Sequence, residues 1–232
     1  MVLAAVTFNA CKDDDDDTTE ETVTLDTRNS YDDEAAQKFL QEYYLDDRGN
    51  LKAFDDDDDS DDNYTKLADL EPVKLPSGVI YIVRPGAQPE PGTTIGESDI
   101  LHLMVNATTY VATNTDGTVE FTSASTFQNT IASGNVIVDP AYYYVKQSVL
   151  DDATTDAAKQ RSYYQIEGLR EGLEHFKAFN MSDGDNYNLQ GVIIVPSRAA
   201  FARDSHYNYT NISYNDRSFV FNFQVYKTEA RD

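Results

Sequence analysis

The sequence predicts an α+β fold, and three segments in its second half carry that prediction. In residues 166–179 (IEGLREGLEHFKAF), Leu169, Leu173 and Phe176 recur at i, i+4 and i+7, the spacing of one apolar helical stripe. Gly168 and Gly172 lie four apart, where a neighbour must pack close to the backbone. In residues 191–201 (GVIIVPSRAAF), the apolar run 192–195 is entered by Gly191 and stopped by Pro196, which reads as a short strand buried on both faces. In residues 217–226 (RSFVFNFQVY), Phe219, Phe221, Phe223 and Val225 alternate with Asn222 and Gln224, as in a strand with one wet face.

The elements before these begin with an apolar stretch of small residues, MVLAAVTFNA, ending at Cys11. Residues 1–11 resemble the end of a bacterial lipoprotein signal peptide, in which the cysteine is lipidated and becomes N-terminal. The acidic run directly after Cys11 looks like the surface-export signal of lipoproteins from the Bacteroidota. No Lys or Arg precedes the apolar stretch, and it is short for a full signal core, which puts the natural start upstream. Phe8 and Asn9 also depart from the usual Leu-(Ala/Ser) pair. Acyl chains on Cys11 would hold the protein to an outer membrane or cell surface at about 0.8 kcal/mol per buried CH2. No other segment has the eighteen apolar residues of a spanning helix.

Residues 12–30 are acidic, Thr-rich and aperiodic, the composition of a disordered tether. Residues 31–74 then hold a short amphipathic helix within 31–47, with Asp32 and Asp33 at its N-terminus, Ala36, Phe39, Leu40 and Tyr43 as its stripe, and Gly49 as its stop. The run DDDDDSDD (55–62) reads as a solvated, self-repelling loop; loose binding of divalent cations is the other reading, but nothing in it fixes a coordination geometry.

Charge narrows the function. The net charge is −23, with 21 acids and 5 bases in residues 1–65 and 20 acids and 13 bases thereafter. Neither half offers the basic surface that phosphates require, which argues against nucleic acid and against direct adsorption to anionic headgroups. With Cys11 as the single cysteine, no intramolecular disulfide can form.

The three opening segments resemble the second half of FKBP-type peptidyl-prolyl isomerases. Ile166, Gly168, Leu169, Glu171, Gly172 and Leu173 match I-x-G-(W/L)-x-E-G-L; Pro196, Ser197, Ala200 and Phe201 match P-S-x-x-A-Y; Ser218, Val220, Phe221 and Phe223 match the last strand. A looser first half is similar too: LPSGVIYIVRPG (75–86) for the opening strand, DILHLMV (99–105) for the strand ending in a His-Tyr pair, and DGTVEFTSAS (116–125) for the D-G-x-x-F-D-S-S element. The resemblance implies a curved antiparallel sheet wrapped around the short helix starting near Glu167, spanning residues 75–232 with an insertion at about 126–165. In that insertion Tyr142, Tyr143 and Tyr144 stand adjacent, as a chaperone-like flap or as a core-facing strand or helix.

Rotation about an X-Pro bond has a barrier of about 18–20 kcal/mol because the amide loses its resonance. No nucleophile is needed: a dry aromatic pocket that binds the twisted amide better than the planar one suffices. By the resemblance, Phe121 and Phe221 are pocket walls, Leu169 the floor and Ile166 the residue whose backbone meets the ligand. Three departures delete polar tips: Thr122 stands at the pocket Asp, Leu103 at the Tyr of the His-Tyr pair, and Phe201 at the Tyr of A-Y-G. Loss of a positioned polar group commonly costs a hundredfold or more in rate. The loop 202–217 lacks the usual Gly-Pro pattern, and its Tyr207, Tyr209 and Tyr214 offer a contact surface instead.

Other chemistries have weaker support. His102, His175 and His206 lack the spacing of a zinc site, so no metal or other cofactor is expected. DGDNYN (183–188) misplaces the glycine of a calcium loop and reads as a hairpin turn. The expectation is a lipid-anchored isomerase-like protein acting on exported, proline-containing polypeptides, with catalysis weak or lost. The alternative is a non-catalytic module that holds an envelope protein partner.

Overall fold

The computed structural model describes residues 23–231, so Cys11 and the greater part of the expected tether lie outside the described residues. In chain order the elements are α1 (Leu25–Glu42), β1 (Tyr43–Leu45), β2 (Leu51–Ala53), β3 (Val73–Lys74), β4 (Ile80–Val83), β5 (Thr93–Thr94), β6 (Ile100–Thr115), β7 (Thr118–Asn129), β8 (Ile137–Val138), α2 (Gln147–Asp151), α3 (Glu167–Leu173), β9 (Lys177–Ala178), β10 (Gly191–Val195) and β11 (Arg217–Glu229). The fold is α+β. Its main sheet runs β3-β4-β10-β11-β6-β7, every neighbour antiparallel, with β8 also on β6. Register shifts in β11 after Val225, and two more between β6 and β7, bend the long strands and curve the sheet.

Both faces of this sheet are covered. Ile193 and Val195 of β10 join Leu169, Leu173 and Phe176 on the α3 face, whereas Val192 and Ile194 join Ala36, Phe39 and Leu40 of α1 on the other. The continuous apolar run is therefore a strand buried on two sides, as its composition predicts. The glycine spacing is explained as well. A Cβ on Gly168 would stand 2.5 Å from Val195 Cγ1, and one on Gly172 would stand 2.8 Å from Ile193 Cγ2, so α3 sits directly on β10.

The structure corrects the reading of β11 as half wet, since Asn222 and Gln224 are each 1 % exposed. The β1–β2 hairpin and the segment before β10 cover them, and their amides supply the hydrogen bonds that a buried polar group requires. Asn222 Oδ1 accepts Leu51 N–H at 3.0 Å and its Nδ2 donates to Gly49 O at 2.9 Å. Gln224 Oε1 accepts Asn188 N–H at 2.6 Å.

The N-terminal helix is longer than its stripe suggests. Thr24 caps it, accepting Thr27 N–H, so residues 25–30 are helical and Asp32 and Asp33 lie inside the helix instead of at its start. Gly49, at φ +79°, serves the β1–β2 turn and does not stop the helix. The DGDNYN segment is a turn inside the connection between β9 and β10, which do not pair with each other, so it joins no hairpin. No helix among the described residues is long and apolar enough to cross a membrane.

Candidate functional site

The α3 face of the sheet, α3 itself and the segments around 139–145 and 197–216 enclose one apolar cluster, and most of the expected pocket residues meet there. Ile166, Leu169, Phe201, Phe221 and Leu103 are all buried in it, none more than 2 % exposed. Leu103 comes from β6 opposite Val225, Phe221 from the centre of β11, and Phe201 from the turn after Pro196.

Phe121 and Thr122 do not join them. Ser123, at φ +51°, lies in a register shift where β7 advances three residues from Ser125 to Thr122 while β6 advances two from Thr109 to Val111. An odd extra residue inverts the alternation of side chains beyond it. Phe121 is therefore turned to the α1 face, 5.9 Å from the ring of Phe39 and 5.3 Å from that of Tyr110. Thr122 stays half-buried and donates its hydroxyl to Val111 O at 3.2 Å. The expected grouping of Phe121 with Leu169 and Phe221 is corrected on this ground.

The ring that takes the vacated position is Phe127, which lies beyond the end of the D-G element. Its centroid is 5.1 Å from Tyr142, 5.4 Å from Tyr209, 5.6 Å from Tyr214 and 5.2 Å from Phe219, each in an edge-on arrangement. Such pairs contribute about 0.5–1.5 kcal/mol beyond the burial of area. Continuation of the strand past residue 125 was the signal that would have found Phe127; the bulge hid it.

The hollow is filled by the chain itself. Tyr142 is 2 % exposed and packs against Phe127, Tyr209 and Phe221, and its hydroxyl has no hydrogen-bond partner among the described residues. Its carbonyl accepts the backbone N–H of Ile166 at 2.8 Å, the group that by the motif resemblance would meet a ligand. Tyr143 donates to Gly96 O at 2.6 Å, and Tyr144 lies under the guanidinium groups of Arg161 and Arg231. The three tyrosines thus face inward or are stacked under cations, in a turn outside any strand or helix.

The loop tyrosines differ from expectation in the same direction. Tyr214 is fully buried, Tyr209 donates its hydroxyl to Tyr164 O at 2.9 Å, and Tyr207 alone of the three is exposed, at 45 %. Burial pushes the phenols of Tyr142 and Tyr209 far above the ordinary tyrosine range and that of Tyr143 up to about 12, so none supplies an anion near neutral pH. Surface clefts of about 420 Å3 beside α3 and about 1010 Å3 at the acidic loop are lined by other residues.

The histidines are structural. His102 Nδ1 bonds the Asp183 carboxylate at 2.8 Å, and His175 stacks on Tyr81 with centroids 4.2 Å apart. His206 donates from Nδ1 to Asp204 O and accepts Tyr214 N–H at Nε2, partners that assign the neutral Nδ1–H tautomer. Among the described residues no group of three His, Cys, Asp or Glu is arranged to hold a metal ion.

No family model and no curated protein matches the chain. Solved structures do. The N-terminal domain of FKBP42 from Arabidopsis thaliana is 12 % identical, with 69 % of this chain and 93 % of that one covered and a TM-score of 0.41. A peptidyl-prolyl cis-trans isomerase from Pseudomonas syringae pv. tomato is 11 % identical, with coverages of 68 % and 81 % and a TM-score of 0.33. AtFKBP13 is 13 % identical, with coverages of 68 % and 99 % and a TM-score of 0.34. These three solved structures, two named as FKBP proteins and one as a peptidyl-prolyl cis-trans isomerase, resemble this chain at low identity and with partial superposition.

Proposed function

We propose that this chain is an FKBP-like binding module of the cell envelope, tethered through Cys11 to an outer membrane or cell surface, that holds a polypeptide partner without accelerating prolyl isomerisation. One observation carries the loss of catalysis: Tyr142 occupies the hollow with its ring and Ile166 N–H with its carbonyl. A substrate prolyl amide needs both the space and the donor, and neither is free. The polar tips that would stabilise a twisted amide are also missing. Thr122 is turned to Val111 O, and Leu103 and Phe201 are apolar. The partner surface is the rim around exposed Tyr207, whose ring is 5.4 Å from Tyr164 and 6.4 Å from Tyr163. Tyrosine suits such a surface because it is rigid and amphipathic.

A weak isomerase is the second reading, favoured by the assembly of Ile166, Leu169, Phe201 and Phe221 in one cluster. A protease-independent prolyl isomerisation assay on the Cys11→Ser chain separates the two. The expected result is the uncatalysed rate at every protein concentration; acceleration that Phe221→Ala abolishes would overturn the non-catalytic assignment. For the tether, fatty-acid labelling of the full chain is expected and should disappear in Cys11→Ser. Labelling absent from the unaltered chain would remove the anchor.

A further inference from the structure

The two halves of α1 are held by different means. The second half buries Ala36, Phe39 and Leu40 against Ile80, Ile82, Val192, Ile194 and Val220. The first half is held chiefly by polar ties, most of which reach the segment 197–216; Arg28 to Ala112 O, Lys74 to Asp33 and the packing of Tyr31 against Ala112 and Val119 reach the sheet instead. Asp32, fully buried, accepts Ser197 N–H at 2.8 Å and Ser197 Oγ–H at 2.5 Å through the same carboxylate oxygen. Arg198 pairs with Asp33 at 2.6 Å and donates to Asn29 O at 3.2 Å. Arg203 donates to Val23 O at 2.6 Å and pairs with Asp216 at 2.7 Å. Arg28 lies 3.8 Å from the other oxygen of Asp216.

These ties grip the segment at its start, near its middle and at its end. Between the grips lie Phe201, Tyr209 and Tyr214, the rings that close the hollow. The segment is also held by Arg198 to Ser77 O, Tyr207 N–H to Tyr163 O and the Tyr209 hydroxyl to Tyr164 O, and by the packing of the Phe201, Tyr209 and Tyr214 rings on Phe127 and Phe219. At the main grip two buried polar atoms, Asp32 Oδ1 and Ser218 Oγ of β11, complete no hydrogen bond among the described residues, although the hydroxyl stands near the carboxyl.

We propose that the first two turns of α1 are a latch on the strap 197–216, so that fraying of residues 24–33 loosens the strap and uncovers one side of the aromatic cluster while the sheet stays folded. Contacts made by polar ties at one end of an element open at lower free energy than those made by a packed core. The face so exposed is lined by Phe127, Tyr142, Phe219 and Phe221, with Tyr142 still in place, and takes an apolar segment of a polypeptide; this last clause rests on the binding reading above.

Hydrogen exchange on the full chain tests the latch. In Asp32→Ala, amides of 200–216 and 25–33 should exchange at least tenfold faster, with those of 192–195 and 219–225 unchanged. Arg203→Ala, which cuts a half-exposed tie, should give a smaller rise in the same segments and decides the matter if Asp32→Ala fails to fold. Unchanged exchange in 200–216, or an equal rise in β10 and β11, would overturn the latch. Titration with a blocked Ala-Leu-Pro-Phe tetrapeptide separates the two layers: binding at least tenfold tighter to Asp32→Ala supports both. A strap that opens without peptide binding keeps the latch and removes this face as a polypeptide site.

Discussion

Ile166 donates its backbone N–H to the carbonyl oxygen of Tyr142 at 2.8 Å, and the Tyr142 ring packs against Phe127, Tyr209 and Phe221. Ile166 is the N-cap of α3 and has no side chain able to cap it, so a bond from a distant segment fixes the point where the helix leaves the loop. The same bond sets the ring that fills the space beneath. Helix start and occupied hollow are therefore one feature.

The Tyr142 hydroxyl is buried without a partner among the described residues, which costs about 1–3 kcal/mol. Tyr142→Phe keeps the ring and removes that cost, so the variant should be more stable than the parent by about 1 kcal/mol. In a chain of this size that is a rise of about 2–4 °C in Tm. Tyr142→Ala leaves a void and should lose about 3–5 kcal/mol. Thermal and urea unfolding of the two variants checks both; a Tyr142→Phe chain less stable than the parent would mean that the hydroxyl has a partner.

Close approach of α3 to β10 makes its two glycines unequal. Alanine gains about 1 kcal/mol of helix propensity over glycine. At Gly172 the added methyl meets only side-chain atoms of Ile193, the nearest at 2.8 Å, but at Gly168 it meets the Val195 and Val79 side chains and the Ala199 carbonyl at 2.9 Å. Gly168→Ala should destabilise by about 1–3 kcal/mol and Gly172→Ala by less, read as urea midpoints at constant m.

Local pattern made α3, β10 and the core face of β11 legible, because each is decided by residues within one element. What it missed was decided across elements. Asn222 looks wet until the β1–β2 hairpin, with Leu51 lying 171 positions earlier, is laid over it. Phe121 looks like a pocket wall until the irregularity at Ser123 turns it away, and Phe127 is the ring that replaces it. Asp32 and Asp33 look like helix-starting acids, whereas one is buried against Ser197 and the other pairs with Arg198 and Lys74. Spacing reports which side of an element is apolar, and bulges and distant partners decide what meets it.

Asn222 joins the N-terminal hairpin to the sheet through three hydrogen bonds, to Leu51 N, Gly49 O and Gly191 O. Asn222→Ala leaves Leu51 N–H and Gly49 O without it, and each buried orphan costs about 1–3 kcal/mol. A loss of about 2–4 kcal/mol is expected, with faster amide exchange concentrated in residues 43–53. Unaltered exchange there would mean that the hairpin is held by its other contacts.

Two carboxyls should give stability opposite dependences on pH. Burial raises the pKa of Asp32 above its ordinary 3.8, against the lowering pull of its Ser197 bonds. Asp139 is lowered, first by its bond to Arg231 and then by Lys146. A raised folded value means that the native state holds more protons than the unfolded chain, so the contribution of Asp32 is greatest below 3.8 and declines as pH climbs through the folded value. A lowered value does the reverse, so the contribution of Asp139 is full above 3.8 and is lost as pH falls through its folded value. The stability advantage of the parent over Asp32→Asn should therefore shrink from pH 4 to pH 7, and its advantage over Asp139→Asn should grow from pH 2.5 to pH 5. Urea unfolding of the three chains across these ranges reads both slopes, and since every other group titrates alike in each pair, slopes of the same sign would show that Asp32 is not held in a dry site.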